Sequence, residues 1–386
     1  MTVDGPLSGV LVIDLSRVLA GPYCTMLMAE LGARIIKIEQ PGVGDDSRAY
    51  GPFVNGKSAY FTSINRGKES IALDLKRPSD RLTFEALVRR ADVLIENYRP
   101  GTMERLGYGE EAIFALNEQL IYLSASGYGQ TGPYSRRPAY DMVVQGAGGI
   151  MSVTGEENGR PVRVGISIGD LGAGLYAAIA VNAALFRRER TGQGERIDIS
   201  MFDCQMALLE NAVTRHLVTG EVPGRLGSRH ASIAPFQAFK AADGDFIVAA
   251  GNDGLWSRLC EVIGRPDLVG DPRFLTNDLR CQNIAVLQEI LTAIFVASTV
   301  DHWVSRFEAA GIPSGPINTI ARAIQHPQVA ARQMLADVTD KAMGRLQVVG
   351  NPMKFSRYPD SGKRRHAPDL DQDRADILRE FGLPSE

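Results

Sequence analysis

The chain has 386 residues, 44% of them apolar and 23% charged, which is ample for roughly two or three soluble globular domains. Lys and Arg number 42 against 45 Asp and Glu, so a formal net charge of -3 argues against a nucleic-acid-binding surface and against an acidic disordered tail. Cys24, Cys204, Cys260 and Cys281 make no CxxC pair and the five His never fall at ligand spacing, which leaves neither a zinc site nor a disulfide framework to expect. With 40 glycines, the chemistry is expected to rest on carboxylates and backbone.

The start, Met-Thr-Val-Asp-Gly-Pro, has no basic stretch leading into an apolar one, so no signal peptide is expected and a reducing cytoplasm fits best. Gly9–Asp14 is a short β-branched run, Pro22–Leu31 a helical segment stopped by Gly32, and Ala33–Glu39 a second strand closed by Pro41-Gly42. The alternation continues with strand Ser70–Leu75, helix Pro78–Ala91, strand Val93–Glu96, helix Gly109–Leu116 and strand Leu120–Ala125. Strands separated by helical stretches imply a parallel sheet covered on both faces. The apolar run Leu171–Phe186, rich in Gly and Ala and ending in Arg187-Arg188, opens a helix to about Arg190 that reads as buried rather than membrane-spanning. Strand Arg196–Met201 and helix Asp203–Val218 follow.

The character changes at Thr219–Gly224; a hairpin around Asp243-Gly244 and three helices then read as a smaller domain, and an amphipathic helix at Asp369–Phe381 is placed to dock back on the first. The expected class is α/β: a large Rossmann-like parallel-sheet domain over 1–220, a smaller α+β domain over 221–325, and a C-terminal segment over 326–386 returning to the large one. The basic turn Ser361–Arg365 reads as solvated.

Gly127-Tyr128-Gly129-Gln130-Thr131-Gly132 matches GxGxxG, but the dinucleotide fingerprint needs a helix starting within it, and Pro133 and Pro138 deny that helix. In Gly169-Asp170-Leu171-Gly172, one carboxylate sits among glycines at a helix start. Its plain reading is an N-cap; its functional reading is a nucleophile kept ionised by the helix N-terminus, exposed to a bulky electrophile by Gly169 and Gly172. Whatever stabilises such a carboxylate blunts it, a cost an activated thioester partner removes. Arg137-Pro138-Ala139-Tyr140-Asp141 reads as a turn or as a second acid beside the first. Gly251-Asn252-Asp253-Gly254 reads either as a helix cap or as a loop over a reaction centre. Glu96–Gly101 leaves a strand end, where open α/β sheets bind ligands.

Taken in order, Leu19–Cys24, Leu31–Glu39, Asn65–Lys76, Glu96–Gly101, Gly127–Tyr134, Tyr140-Asp141, Gly169-Asp170 and Thr191–Gly194 resemble the class III coenzyme A-transferases, the family of formyl-CoA transferase and carnitine CoA-transferase. The resemblance implies a large α/β and a small domain in a homodimer of interlocked rings. It implies a coenzyme A thioester as substrate, with no permanently bound cofactor, no metal, no nucleic acid and no membrane. Asp170 occupies the family's nucleophilic position, forming an aspartyl-CoA intermediate. Gln40, Leu73, Asn97, Tyr98, Arg105, Arg137, Tyr140 and Asp141 match positions around the CoA, and Leu19 and the loop Gly251, Asn252, Gly254 match positions beside the reaction centre. Leu19 and Gln40 replace the Gln and Arg of the formyl-CoA/oxalate branch, which argues against oxalate or formate. The expected donor is succinyl-CoA and the expected acceptor a C4–C5 dicarboxylate such as itaconate, mesaconate, malate or citramalate, with Arg48 and His230 as cations for the second carboxylate. The competing readings are an α-methylacyl-CoA racemase, which has His where this chain has Tyr140, and a non-catalytic CoA-binding protein, which has no need of Asp170.

Overall fold

A computed structural model describes residues 4–384. They form two compact units: one takes the described part of Met1–Met151 with Arg163–Glu221 and Pro327–Glu386, the other Ser152–Val162 with Val222–His326.

The first unit carries a six-stranded sheet of β1 (Leu11–Asp14), β2 (Arg34–Glu39), β3 (Glu69–Ala72), β4 (Val93–Glu96), β5 (Ile121–Ser126) and β6 (Glu195–Ser200). All neighbours are parallel and the order is β3-β2-β1-β4-β5-β6, so the strand order reverses between β1 and β4. Side chains alternate across it: Ile13, Ile36, Ile38 and Leu94 pack on one face with Phe84 and Leu87, while Val12, Ile35, Val93 and Ile95 pack on the other with Leu27, Met28 and Val181. Both faces are thereby buried, as a parallel sheet requires.

The helices that bear on function are α1 (Ala20–Glu30), α2 (Ala59–Asn65), α3 (Asp141–Ala147), α4 (Ile168–Thr191), α5 (Met201–Leu208) and α6 (Glu210–Thr219). The single helix expected over Asp203–Val218 is broken at Leu209 into α5 and α6. α4 is buried on one side only: Ala173, Ala177 and Val181 face α1 and the sheet, whereas Leu175, Ile179 and Phe186 are 47%, 65% and 61% exposed. The reading of this helix as buried is corrected to that extent.

The C-terminal segment seals the sheet's edge at β3. Asp371 and Asp373 accept hydrogen bonds from the Ala72 and Ser70 N–H groups at 2.7 and 2.9 Å, and Ile377 and Leu378 enter the core from the helix Arg374–Glu380. The basic turn is not fully solvated. Arg364 lies in a short strand with its guanidinium against Glu30 at 2.7 Å and Asp360 at 2.7 Å, its side chain only 7% exposed. The second unit holds the expected hairpin, Phe236–Lys240 with Asp245–Ala249, but four α-helices follow it before Ser314 rather than three.

Candidate active site

Open parallel sheets bind ligands where the strand order reverses, outside the carboxyl ends of the strands. Here the loops after β1 and β4 meet at that point. Asn97 clamps the main chain of Arg17, accepting its N–H at 2.7 Å and donating to its carbonyl at 2.7 Å. The next residue, Val18, has φ 66, a left-handed backbone that a β-branched residue rarely adopts. Its N–H donates to Asp45 at 3.1 Å, and Asp45 is paired with the fully buried Lys37 at 2.9 Å. Burial acts against the charge on Asp45, but Lys37 and the Ser47 donors hold its carboxyl well below the usual range. The strained loop that leads to Leu19 and α1 is therefore pinned by a buried ion pair.

Beside this loop a cleft of about 330 Å³ is lined by Gln40, Leu73, Lys76, Arg77 and Tyr98, among others. Three of the residues expected around CoA thus share one cavity. Arg105 stands just past the β4 end and donates to Thr102 at 2.8 Å, while Arg137 lies in the exposed loop after β5, over the Tyr134 ring. No helix starts within Gly127–Gly132; the next begins at Asp141.

Asp170 is the third residue of α4. It is not the cap. Asp141, from α3, does the capping: its Oδ1 accepts the Gly169 N–H at 2.8 Å and its Oδ2 accepts Gln145 Nε2 at 2.8 Å. Gln145 Oε1 in turn accepts the Val164 N–H at 2.9 Å, tying down the segment before the helix. Among the described residues no hydrogen bond or ion pair engages the Asp170 carboxylate, which leaves it for a reaction partner. Burial first, and the negative charge of Asp141 second, push its carboxyl up to about 7, opposite to the lowering expected from the helix N-terminus. Half-buried Tyr60 of α2 is pushed up to about 12, by burial and then by Asp170.

The glycines around Asp170 are sterically required. A Cβ on Gly169 would stand 2.8 Å from Val144 Cγ2 and 3.0 Å from both Asp141 Oδ1 and Gln205 Nε2; one on Gly174 would stand 2.8 Å from the Ala20 carbonyl oxygen of α1. Gly169→Ala is expected to cost about 1–3 kcal/mol of stability by overpacking, with a loss of turnover, both read from chemical unfolding and initial rates. An Ala variant as stable and active as the parent would show that the turn has room to relax.

The remaining expected residues fall in different places. Tyr140 precedes α3 with its side chain 77% exposed, and Leu19 is buried at the start of α1. Arg48 is consumed by Glu39, with two nitrogens at 2.7 Å from its carboxylate oxygens, and its guanidinium lies over the Phe61 ring, so it is not a free cation for a second carboxylate. Gly251, Asn252, Gly254 and His230 belong to the second unit. There Asn252 caps the helix Asp253–Val262 by accepting the Leu255 N–H at 2.9 Å, and His230 Nδ1 accepts the Ser232 N–H at 3.2 Å. Sequence reasoning missed Tyr60, Gln145 and Gln205. Of these, only Gln145 carried a signal, lying four positions after Asp141 on a helix.

Comparison with known proteins identifies the family. The model of CoA-transferase family III matches residues 7–374. The chain is 47% identical to the acetyl-CoA:oxalate CoA-transferase of Acetobacter aceti, over 98% of this chain and 97% of the relative. It is 40% identical to the succinyl-CoA:glutarate CoA-transferase of Mus musculus, over 97% of this chain and 86% of the relative. The crystal structure of a CAIB/BAIF family protein from Brucella suis superposes with a TM-score of 0.86 at 39% identity, over 98% of this chain and 100% of that one. The first of these likenesses lends no support to Leu19 and Gln40 as marks against oxalate.

Proposed function

Because the chain belongs to CoA-transferase family III and is an enzyme of that class, we propose that it moves CoA from an acyl-CoA donor, with succinyl-CoA the first candidate, to a small dicarboxylate through a covalent intermediate on Asp170. The observation that carries this reading is the Asp170 carboxylate itself. It is half-buried at the first turn of α4, cleared of side chains at Gly169 and Gly172, and without a hydrogen bond among the described residues, while the neighbouring acid does the capping.

Asp170 attacks the thioester carbonyl, the C–S bond breaks, and a mixed anhydride and CoA thiolate result. The thiolate attacks the aspartyl carbonyl and expels the donor's carboxylate, leaving aspartyl-CoA. The acceptor carboxylate attacks that thioester to give a second anhydride, and the returning thiolate attacks its acyl carbonyl, which frees Asp170 and the new acyl-CoA. A carboxyl near 7 is a better nucleophile than an ordinary one and is still substantially ionised at neutral pH. The tension between stabilisation and reactivity is thereby eased from the protein's side as well as the substrate's. Gln40, Leu73 and Tyr98 would line the site for the nucleotide end of CoA.

The exposed apolar stripe of Leu175, Ile179 and Phe186 supports a homodimer that covers it. The deciding experiment is a screen of oxalate, glutarate, mesaconate, itaconate, malate and citramalate with succinyl-CoA and acetyl-CoA, on protein whose mass in solution is measured in parallel. Transfer to none of these acids would sink the dicarboxylate reading, and a monomer active at full rate would sink the dimer.

A further inference from the structure

Gln205 of α5 is fully buried, and among the described residues neither atom of its amide has a hydrogen-bond partner. A buried amide left unpaired is costly, and a methionine or leucine would fill the same space without that cost. The surroundings are nevertheless shaped to admit it. A Cβ on Gly148, just after α3, would stand 3.0 Å from Gln205 Cβ, and one on Gly169 would stand 3.0 Å from Gln205 Nε2. Two glycines on two segments thus clear a slot for one polar side chain.

The slot ends at Asp141. The same point 3.0 Å from Gln205 Nε2 is 3.0 Å from Asp141 Oδ1. Among the described residues that oxygen accepts only the Gly169 N–H, and a carboxylate oxygen has capacity for a second donor. We propose that Gln205 is a positioning residue for the reaction at Asp170: a rotation of its amide gives Asp141 Oδ1 a second hydrogen bond, so that Gln205, Gln145 and the Gly169 N–H together fix the carboxylate that caps the nucleophile's helix. The proposal rests on the reading of Asp170 as nucleophile.

Fixing Asp141 matters electrostatically as well as sterically. Besides Asp141, the titratable groups near this turn include Tyr60 of α2, Tyr23 of α1 and Cys204 of α5; β5 and β6 meet α4 further along, at Ala177 to Leu185. Of these groups only Asp141 raises the proton affinity of Asp170. If Asp141 swings away, that repulsion is lost.

The test pairs Gln205→Met with Gln205→Glu in the full-length protein. Gln205→Met is expected to unfold no earlier than the parent, to keep KM for the acyl-CoA within about twofold, and to lose about 10- to 100-fold in kcat. Its acid limb of kcat against pH moves to lower pH. Gln205→Glu removes the amide donor and sets a second carboxylate against Asp141, so it is expected to show the same loss of kcat, and an unchanged kcat in it overturns the role of Gln205 should the Met variant not fold. Unchanged kcat and limb in both variants, or a loss of stability with no movement of the limb, would overturn the role of Gln205. Hydroxylamine trapping on the parent protein separates the two levels. An Asp170 adduct with an unmoved limb refutes the positioning role alone, whereas the absence of any Asp170 adduct refutes the nucleophile and the positioning role with it.

Discussion

Asp170→Ala is expected to lower CoA transfer by about 10⁴-fold or more while leaving the acyl-CoA bound. The cavity lined by Gln40, Leu73 and Tyr98 is built from the ends of β2, β3 and β4, and none of it leans on Asp170. What disappears, on the proposed mechanism, is the group that splits one difficult acyl transfer into successive exchanges with an activated partner. The variant should therefore give no protein-bound adduct with acyl-CoA, where the parent gains the mass of the trapped acyl or CoA group on the peptide containing Asp170. The parent's pH profile carries the same signature. On the proposed mechanism the attacking group is the ionised Asp170 carboxylate, so with its carboxyl near 7 the rate should fall about tenfold per unit as the pH drops below that value. Full activity in Asp170→Ala, or a rate flat from pH 8 down to 5, would show that Asp170 is not the attacking group.

The sheet was legible because its strands are short β-branched runs between glycines and helical stretches, and Val93–Glu96 matches to the residue. Short elements left little trace. α2 and α3 have seven residues each, barely two helical turns, and Pro138-Ala139-Tyr140-Asp141 reads as a turn because nothing in it announces that Asp141 opens a helix. The break between α5 and α6 falls at Leu209, without the glycine or proline that marks one. The hairpin Leu335–Asp340 with Gly344–Val349 went unread although Ala336, Val338, Leu346 and Val348 alternate along its buried face.

At the site, Asp170 stood out because glycines flank it, and its chemistry came from the family likeness. Its true neighbourhood did not show. Asp141 reaches it through the Gly169 N–H across 28 residues, so the capping role fell on the wrong acid. Arg48 failed for the converse reason. It reads as a spare cation, yet Glu39, nine residues earlier, holds it at the sheet's end. Pairings of this kind are set by the third dimension, which residue type and spacing leave open.

Asp170→Asn is expected to stabilise the protein at pH 8 by on the order of 2–4 kcal/mol while it destroys transfer. The carboxyl is raised from 3.8 to about 7 by burial and Asp141, so the folded state holds that proton more tightly than the unfolded chain does. Below pH 3.8 the group is neutral in both states and costs nothing. Between 3.8 and 7 the unfolded chain releases the proton first, and stability falls as pH rises. Above 7 the full cost of an ionised, half-buried carboxylate facing a second one is present. Asparagine has nearly the same shape and no charge, so it removes that cost where it exists and nothing where it does not. Urea unfolding of parent and variant should therefore give curves that coincide near pH 4 and separate progressively to pH 8, with the inactive variant the more stable. A separation that is constant with pH, or an Asn variant weaker than the parent at pH 8, would mean that the fold carries no electrostatic strain at Asp170. The predicted divergence would place the cost of folding this protein at the same carboxylate that reacts, which is the expected mark of a group held for chemistry rather than for structure.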